Sequence, residues 1–169
     1  MPLSRTMALS LVLGQLAVPM SSAQQVTDLV GDPQRGKAVF RSVASCLRCH
    51  GWPADGRTGV DMRAPTGSNL RESTLDKAQI AEVVACGRPG TAMPYHDRAA
   101  YRDGRCNGLV MSDFDSANEP QRGKSLSAQD IANVAVYLQD HVIGRGKPTF
   151  EECVDFFEEP AAKACSYMK

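Results

Sequence analysis

Cys46-Leu47-Arg48-Cys49-His50 constrains this chain more than any other stretch of it. Two thiols three positions apart, with a histidine directly after the second, is the spacing at which a c-type haem is attached. The chemistry explains the spacing. The two thiols reach the two vinyl groups of one porphyrin and form thioethers, and the histidine can then swing beneath the ring to bind the iron. The alternatives are a redox-active C-x-x-C pair and half of a zinc site. A redox pair has no need of His50 at that place. A zinc site wants a second ligand pair at similar spacing, whereas Cys86, Cys106, Cys153 and Cys165 are far apart from one another.

The N-terminus bears on the same question. Arg5 gives a short positive region, Met7 to Met20 is mostly apolar, and Ser21-Ser22-Ala23 offers small residues to a signal peptidase. The apolar run is short for a membrane span and is interrupted by Gly14, Gln15 and Pro19. Residues 1–23 are therefore expected to be a cleaved export signal, with no stable membrane anchor, and residues 24–169 to work in the periplasm. An oxidising exported compartment is also where this type of haem attachment is completed. The formal net charge is zero, which favours neither nucleic acid nor an anionic membrane as partner. The charge is unevenly spread: residues 33–105 carry twelve Lys or Arg against seven Asp or Glu, and residues 106–169 six against ten.

The remaining pattern is that of a small helical protein. Asp32-Pro33 suits a helix start, with Asp32 as N-cap and Pro33 at the first helical position. Gly36, Val39 and Phe40 follow on one face, and Gly51-Trp52-Pro53 ends the haem-motif turn. Residues 54–72, rich in Gly, Asp, Arg and Pro, read as loop. A second helix is expected from about Leu75 to Cys86, buried through Leu75, Ala78, Ile80, Val83 and Val84 and stopped by Gly87. The loop Arg88-Pro89-Gly90-Thr91-Ala92-Met93-Pro94 comes next. A third helix is expected over Ser127 to His141, where Ser127 and Asp130 form a capping box and Ile131, Val134, Ala135 and Leu138 an apolar stripe. No segment shows sustained strand alternation, so the expected fold class is all-α, a small helical domain wrapped around one haem. No nucleophile–base constellation and no phosphate loop argues for catalysis by the polypeptide.

In Gly36 and Phe40, Cys46 to His50, Met93-Pro94, and Asp130 to Leu138 with Tyr137, the chain resembles the class I cytochrome c family, over roughly residues 32–141. The resemblance implies an N-terminal helix crossing a C-terminal one, with a Met-Pro loop closing the far face of the haem. It implies covalent attachment through Cys46 and Cys49 and iron ligation by His50 and Met93. By the same resemblance a proline carbonyl, here Pro65, holds the second ring nitrogen of His50, with simple loop shaping as the other reading of Pro65. Met62, Met111 and His96 are the rivals to Met93, and His141 reads as a helix-end histidine. Two strongly held axial ligands leave no open iron position, which favours outer-sphere electron transfer over oxygen chemistry. Trp52 and Tyr95 suit either haem contact or core packing. Arg63, Arg71 and Arg98 suit either a haem propionate or solvent.

Two departures from the family pattern stand out: a long insertion after Met93, and a cysteine-bearing acidic tail. The expected organisation is a cytochrome domain over residues 24–145 and a tail over 146–169. Four cysteines remain after haem attachment and permit three pairings. Cys86–Cys106 and Cys153–Cys165 are favoured because each joins near neighbours. The first would enclose the Met93 loop and the second would clip the tail, whose Val154, Phe156 and Phe157 offer anchors. The tail itself reads as a docking element or as a brace. The insertion and tail are similar to those of small cytochromes that accompany quinoprotein (PQQ-dependent) alcohol dehydrogenases. That similarity implies a monomeric carrier of single electrons from a periplasmic dehydrogenase to an oxidase or another cytochrome. An open-iron haem enzyme or gas sensor, and a haem subunit of a larger enzyme, are the alternatives.

Overall fold

A computed structural model describes residues 29–158 and 161–168; the expected export signal, residues 1–23, lies outside them. Helix α1 spans Pro33–Ala38, and Asp32 caps it by accepting from the backbone N–H groups of Gln34 and Arg35. The chain then widens into a π-helical turn, Val39–Val43, closed by the Ala44 N–H on the Val39 carbonyl. The short helix α2, Leu47–His50, carries the haem motif. Helix α3 runs over Lys77–Cys86, starting two residues later than the hydrophobic pattern suggests because Asp76 and Gln79 form a capping box there. Gly87, at φ +65°, ends it. Helix α4, Ala128–His141, begins at the expected Ser127–Asp130 capping box.

Helices α1 and α4 form the crossing on which the domain is built. An added Cβ on Gly36 would lie 2.1 Å from the Asn133 carbonyl oxygen and 2.6 Å from the Tyr137 Cβ. The two backbones therefore meet with no room for a side chain between them. Phe40 and Tyr137 pack ring to ring beside that contact, with centroids 5.9 Å apart. Gly36→Ala is expected to destabilise the protein by about 3 kcal/mol, because the carbonyl facing it cannot move without the whole of α4. Denaturant unfolding of the haem-loaded protein checks this. The midpoint should fall with an unchanged slope, and an unshifted midpoint would show that the crossing has slack.

The fold is not purely helical. Strand β1, Tyr95–Asp97, pairs in parallel with β2, Arg122–Leu126. With three and five residues, and a register shift between Tyr95 and Asp97, these strands carry too little alternation to register as a sequence pattern. They bring the two ends of the insertion together. Its middle is held by Tyr101, which is buried, meets the rings of Tyr95 and Phe114 edge-on, and donates its hydroxyl to the Cys86 carbonyl. The Cys86–Cys106 disulfide fastens the insertion to the end of α3, as expected.

The tail is more ordered than its composition suggests. Helix α5, Phe150–Phe157, starts at a Thr149–Glu152 capping box, and a single turn, α6, spans Ala161–Ala164. The expected Cys153–Cys165 disulfide joins α5 to the residue that follows α6. Phe156 is buried against Trp52, whereas Val154 is exposed and anchors nothing. Three of the tail's acids pair with the rest of the chain: Glu152 with the buried Arg71, and the exposed Asp155 and Glu158 with Lys37. Arg41 also sits over the rings of Phe156 and Phe157. These contacts hold the tail against helix α1 and the loop that follows the haem motif.

Candidate haem-binding site

Helix α2 is one turn long, so its last carbonyls have no partners within the helix. The following loop supplies them. Asp61 donates its backbone N–H to the Arg48 carbonyl, Gly67 to that of Cys49, and Gly56 to that of His50, at 2.9, 2.8 and 2.8 Å. Residues 51–70 are thereby wound back against the motif. This is why a loop dominated by Gly, Pro and Asp holds a defined position.

His50 is buried, and its Nδ1 lies 2.9 Å from the Ser68 carbonyl oxygen. A carbonyl can only accept, so Nδ1 carries the proton and the Nε2 lone pair is left for a metal. Burial pushes the imidazole below its ordinary pKa, against the smaller opposing pull of that hydrogen bond. A neutral ring in a fixed tautomer is the form that binds iron. The carbonyl belongs to Ser68, where the family resemblance pointed to Pro65: the right loop, three residues further on. Gly67 makes the approach possible, since a Cβ there would fall 2.6 Å from Nδ1.

Cys46 and Cys49 are free thiols, while the other four cysteines are paired. Burial pushes the Cys46 thiol up to about 12. Two free thiols and a neutral imidazole on a single turn match the donor set of covalent haem attachment.

Met93 is half-buried in a loop closed on itself. Arg88 donates its N–H to the Met93 carbonyl at 3.0 Å, and the Met93 N–H reaches the Thr91 hydroxyl at 3.2 Å. The loop lies directly on Gly87, where a Cβ would come 2.7 Å from the Met93 carbonyl oxygen and from the Pro94 carbonyl carbon. The rivals are differently placed. Met62 is 97% exposed. Met111 lies in a 3₁₀ turn of the insertion and packs against the core cluster. His141 stacks on Tyr137 at the end of α4. His96 is buried with Nδ1 2.7 Å from the Lys124 carbonyl oxygen, its ring pressed against Gly123 on β2.

Other side chains have settled partners. Trp52 is buried and donates its indole N–H to the Tyr167 hydroxyl at 2.7 Å. Arg71 is wholly engaged with Glu152 and the carbonyls of Pro53 and Gly146, which removes it as a propionate partner. The side chain of Arg63 is 93% exposed and pairs with Asp61, and Arg98 is exposed. Sequence reasoning missed Ser68, whose carbonyl has no sequence signature. It also missed the tail helix, although Thr149-x-x-Glu152 is a legible capping box.

Among the described residues no helix is long and apolar enough to cross a membrane. Compared with known families, residues 31–138 match the family model described as cytochrome c oxidase, cbb3-type, subunit III. No curated protein matches the chain.

Proposed function

The chain belongs to the c-type cytochrome family, the one its residues 31–138 match, and from that premise we propose that it is a periplasmic monohaem carrier of single electrons. When bound, the haem supplies a one-electron iron couple. Cys46 and Cys49 would hold it covalently, and His50 and Met93 would be the ligands to its iron. The observation that carries this reading is the His50 imidazole, neutral, fixed by Ser68 and free at Nε2. The wound loop 51–70 holds the turn that carries His50 in place through its bonds to the Arg48, Cys49 and His50 carbonyls. The closed loop 88–93 offers the Met93 thioether, a soft ligand that favours ferrous iron and raises the potential.

Carbon monoxide tests the reading. The reduced protein should resist binding at neutral pH, because both axial positions are taken. Prompt binding would replace it with an open-iron enzyme or sensor.

The proposed donor is a periplasmic dehydrogenase of the quinoprotein (PQQ-dependent) alcohol class, and the acceptor an oxidase or another cytochrome. Charge placement supports a partner with an acidic face. Arg57, Arg88, Arg98 and Arg102 are exposed, and among the described residues none is in an ion pair. The tail's Glu152 is meanwhile paired with Arg71, and Asp155 and Glu158 share Lys37. Steering of this kind weakens as the Debye length shrinks from about 10 Å at 0.1 M to about 3 Å at 1 M salt. Stopped-flow reduction by the donor should therefore slow steadily with added salt, and a flat profile would dismiss a charged docking face.

A second reading has one observation in its favour: the matched family is described as an oxidase subunit. A haem subunit would elute from gel filtration of native extract within a larger assembly. A free carrier would elute as the monomer in extract and after purification alike.

A further inference from the structure

The insertion after Met93 returns along β2 to a place beside the haem motif. Lys124 Nζ lies 3.0 Å from the Ser45 hydroxyl oxygen and 3.4 Å from the Ser42 carbonyl oxygen, on the turn that leads directly into Cys46. Ser45 sits in the left-handed region at φ +60° and donates its own hydroxyl to that Ser42 carbonyl. The lysine thus ties down a turn whose backbone is otherwise strained for a residue with a side chain. At its other end, the Lys124 carbonyl accepts the Nδ1 hydrogen of His96, three residues after Met93, at 2.7 Å. Gly123 makes that contact possible: a Cβ there would fall 2.6 Å from the His96 Cε1 and 3.1 Å from the Pro94 Cγ. One further backbone bond, from Tyr95 N–H to the Gln121 carbonyl at 2.9 Å, completes the seam.

We propose that Lys124 is a positioning residue for Met93, a latch that fastens the Met93–His96 segment to the turn carrying Cys46. The proposal rests on the Met93 ligation put forward above. The thioether bond to iron is the weaker of the two axial bonds and is made from a loop. Its persistence depends on how far the loop can drift from the attachment turn. The carbonyl of Lys124 holds the loop and its ammonium holds the turn, so a single residue spans the two. The insertion is therefore part of the ligand's support.

Imidazole competition on the oxidised, haem-loaded protein tests this, followed by loss of the near-infrared thioether-to-iron band. Lys124→Met keeps the carbonyl and removes the ammonium, and it should bind imidazole about threefold more tightly, the weight of one exposed hydrogen bond. Lys124→Arg, which can still reach Ser45, should stay close to the wild type. Gly123→Ala, which drives a methyl group into the His96 ring, should shift the affinity further than Lys124→Met. A fold defect alone would lower thermal stability without this ordering of imidazole affinities. If the wild type shows the band and Lys124→Met binds imidazole as the wild type does, the latch is wrong and the ligation stands. If the wild type lacks the band, the ligation is wrong and the latch falls with it.

Discussion

Replacing Met93 with alanine is expected to abolish the near-infrared thioether-to-iron band of the oxidised protein and to open its ferrous iron to carbon monoxide. The reduction potential should fall by on the order of 0.2 V, a fraction of the roughly 0.8 V over which axial ligands move haem potentials. The reasoning is local. Loop 88–93 is closed by its own Arg88–Met93 backbone bond and lies on Gly87, so the alanine variant should keep the loop and lose only the sulfur. His96 keeps its Nδ1 hydrogen on the Lys124 carbonyl, so to take Met93's place its Nε2 would have to reach the iron with that bond intact. A variant that keeps the band would move the assignment to another methionine. A low-spin spectrum with no carbon monoxide binding would identify an imidazole substitute, and Met93→Ala/His96→Ala would then separate the two.

An effect on stability as large as that at Gly36 is expected at Arg71, whose side chain is 4% exposed. Its guanidinium binds both carboxylate oxygens of Glu152, at 3.1 and 2.9 Å, together with the carbonyls of Pro53 and Gly146. These partners come from the haem-proximal loop, the start of the tail and helix α5. Arg71→Met would leave two carbonyls and a carboxylate short of a donor. Breaking a buried pair costs about 3–5 kcal/mol. Because Glu152 retains some solvent contact, about 3 kcal/mol is expected, a fall in Tm of roughly 10 °C for a chain of this size. The tail should loosen with it, so trypsin should cut after Arg145 in Arg71→Met well before it cuts the wild type. A melt shifted by only a degree or so would mean that Phe156 and the Cys153–Cys165 disulfide hold the tail unaided.

What was legible in the sequence had local causes. Asp32-Pro33, Ser127 with Asp130, and Gly87 each write a helix boundary into adjacent residues, and the structure follows them. The two disulfides were readable because near neighbours are cheaply joined. The attachment motif is local by necessity, since both thiols must meet one ring. What escaped depends on distant backbone. Ser68 serves His50 through a carbonyl that every residue possesses, and only the winding of residues 51–70 selects it. Strands β1 and β2 exist because the insertion returns to Tyr95, across a separation that no local window spans. Arg71 offered no sign that its partner would be Glu152 in the tail.

The division of the six cysteines carries a consequence for how the molecule is made. Four are joined in disulfides, and Cys46 and Cys49 are left unpaired for haem attachment, within one chain. Six free thiols can pair in fifteen ways and four in three. In an oxidising compartment, Cys46 and Cys49, only three positions apart, would be the first to close on each other, and a closed pair cannot take up a vinyl group. A Cys46–Cys49 disulfide leaves the other four cysteines the same three pairings that haem capture would leave, so what it blocks is loading and not sorting. Chain oxidised before it meets haem should accordingly take up none until that pair is reduced, whereas chain kept reduced at Cys46 and Cys49 should load at once. Equal loading of both would show that the two thiols do not close, and otherwise a reducing step must come before any electron passes.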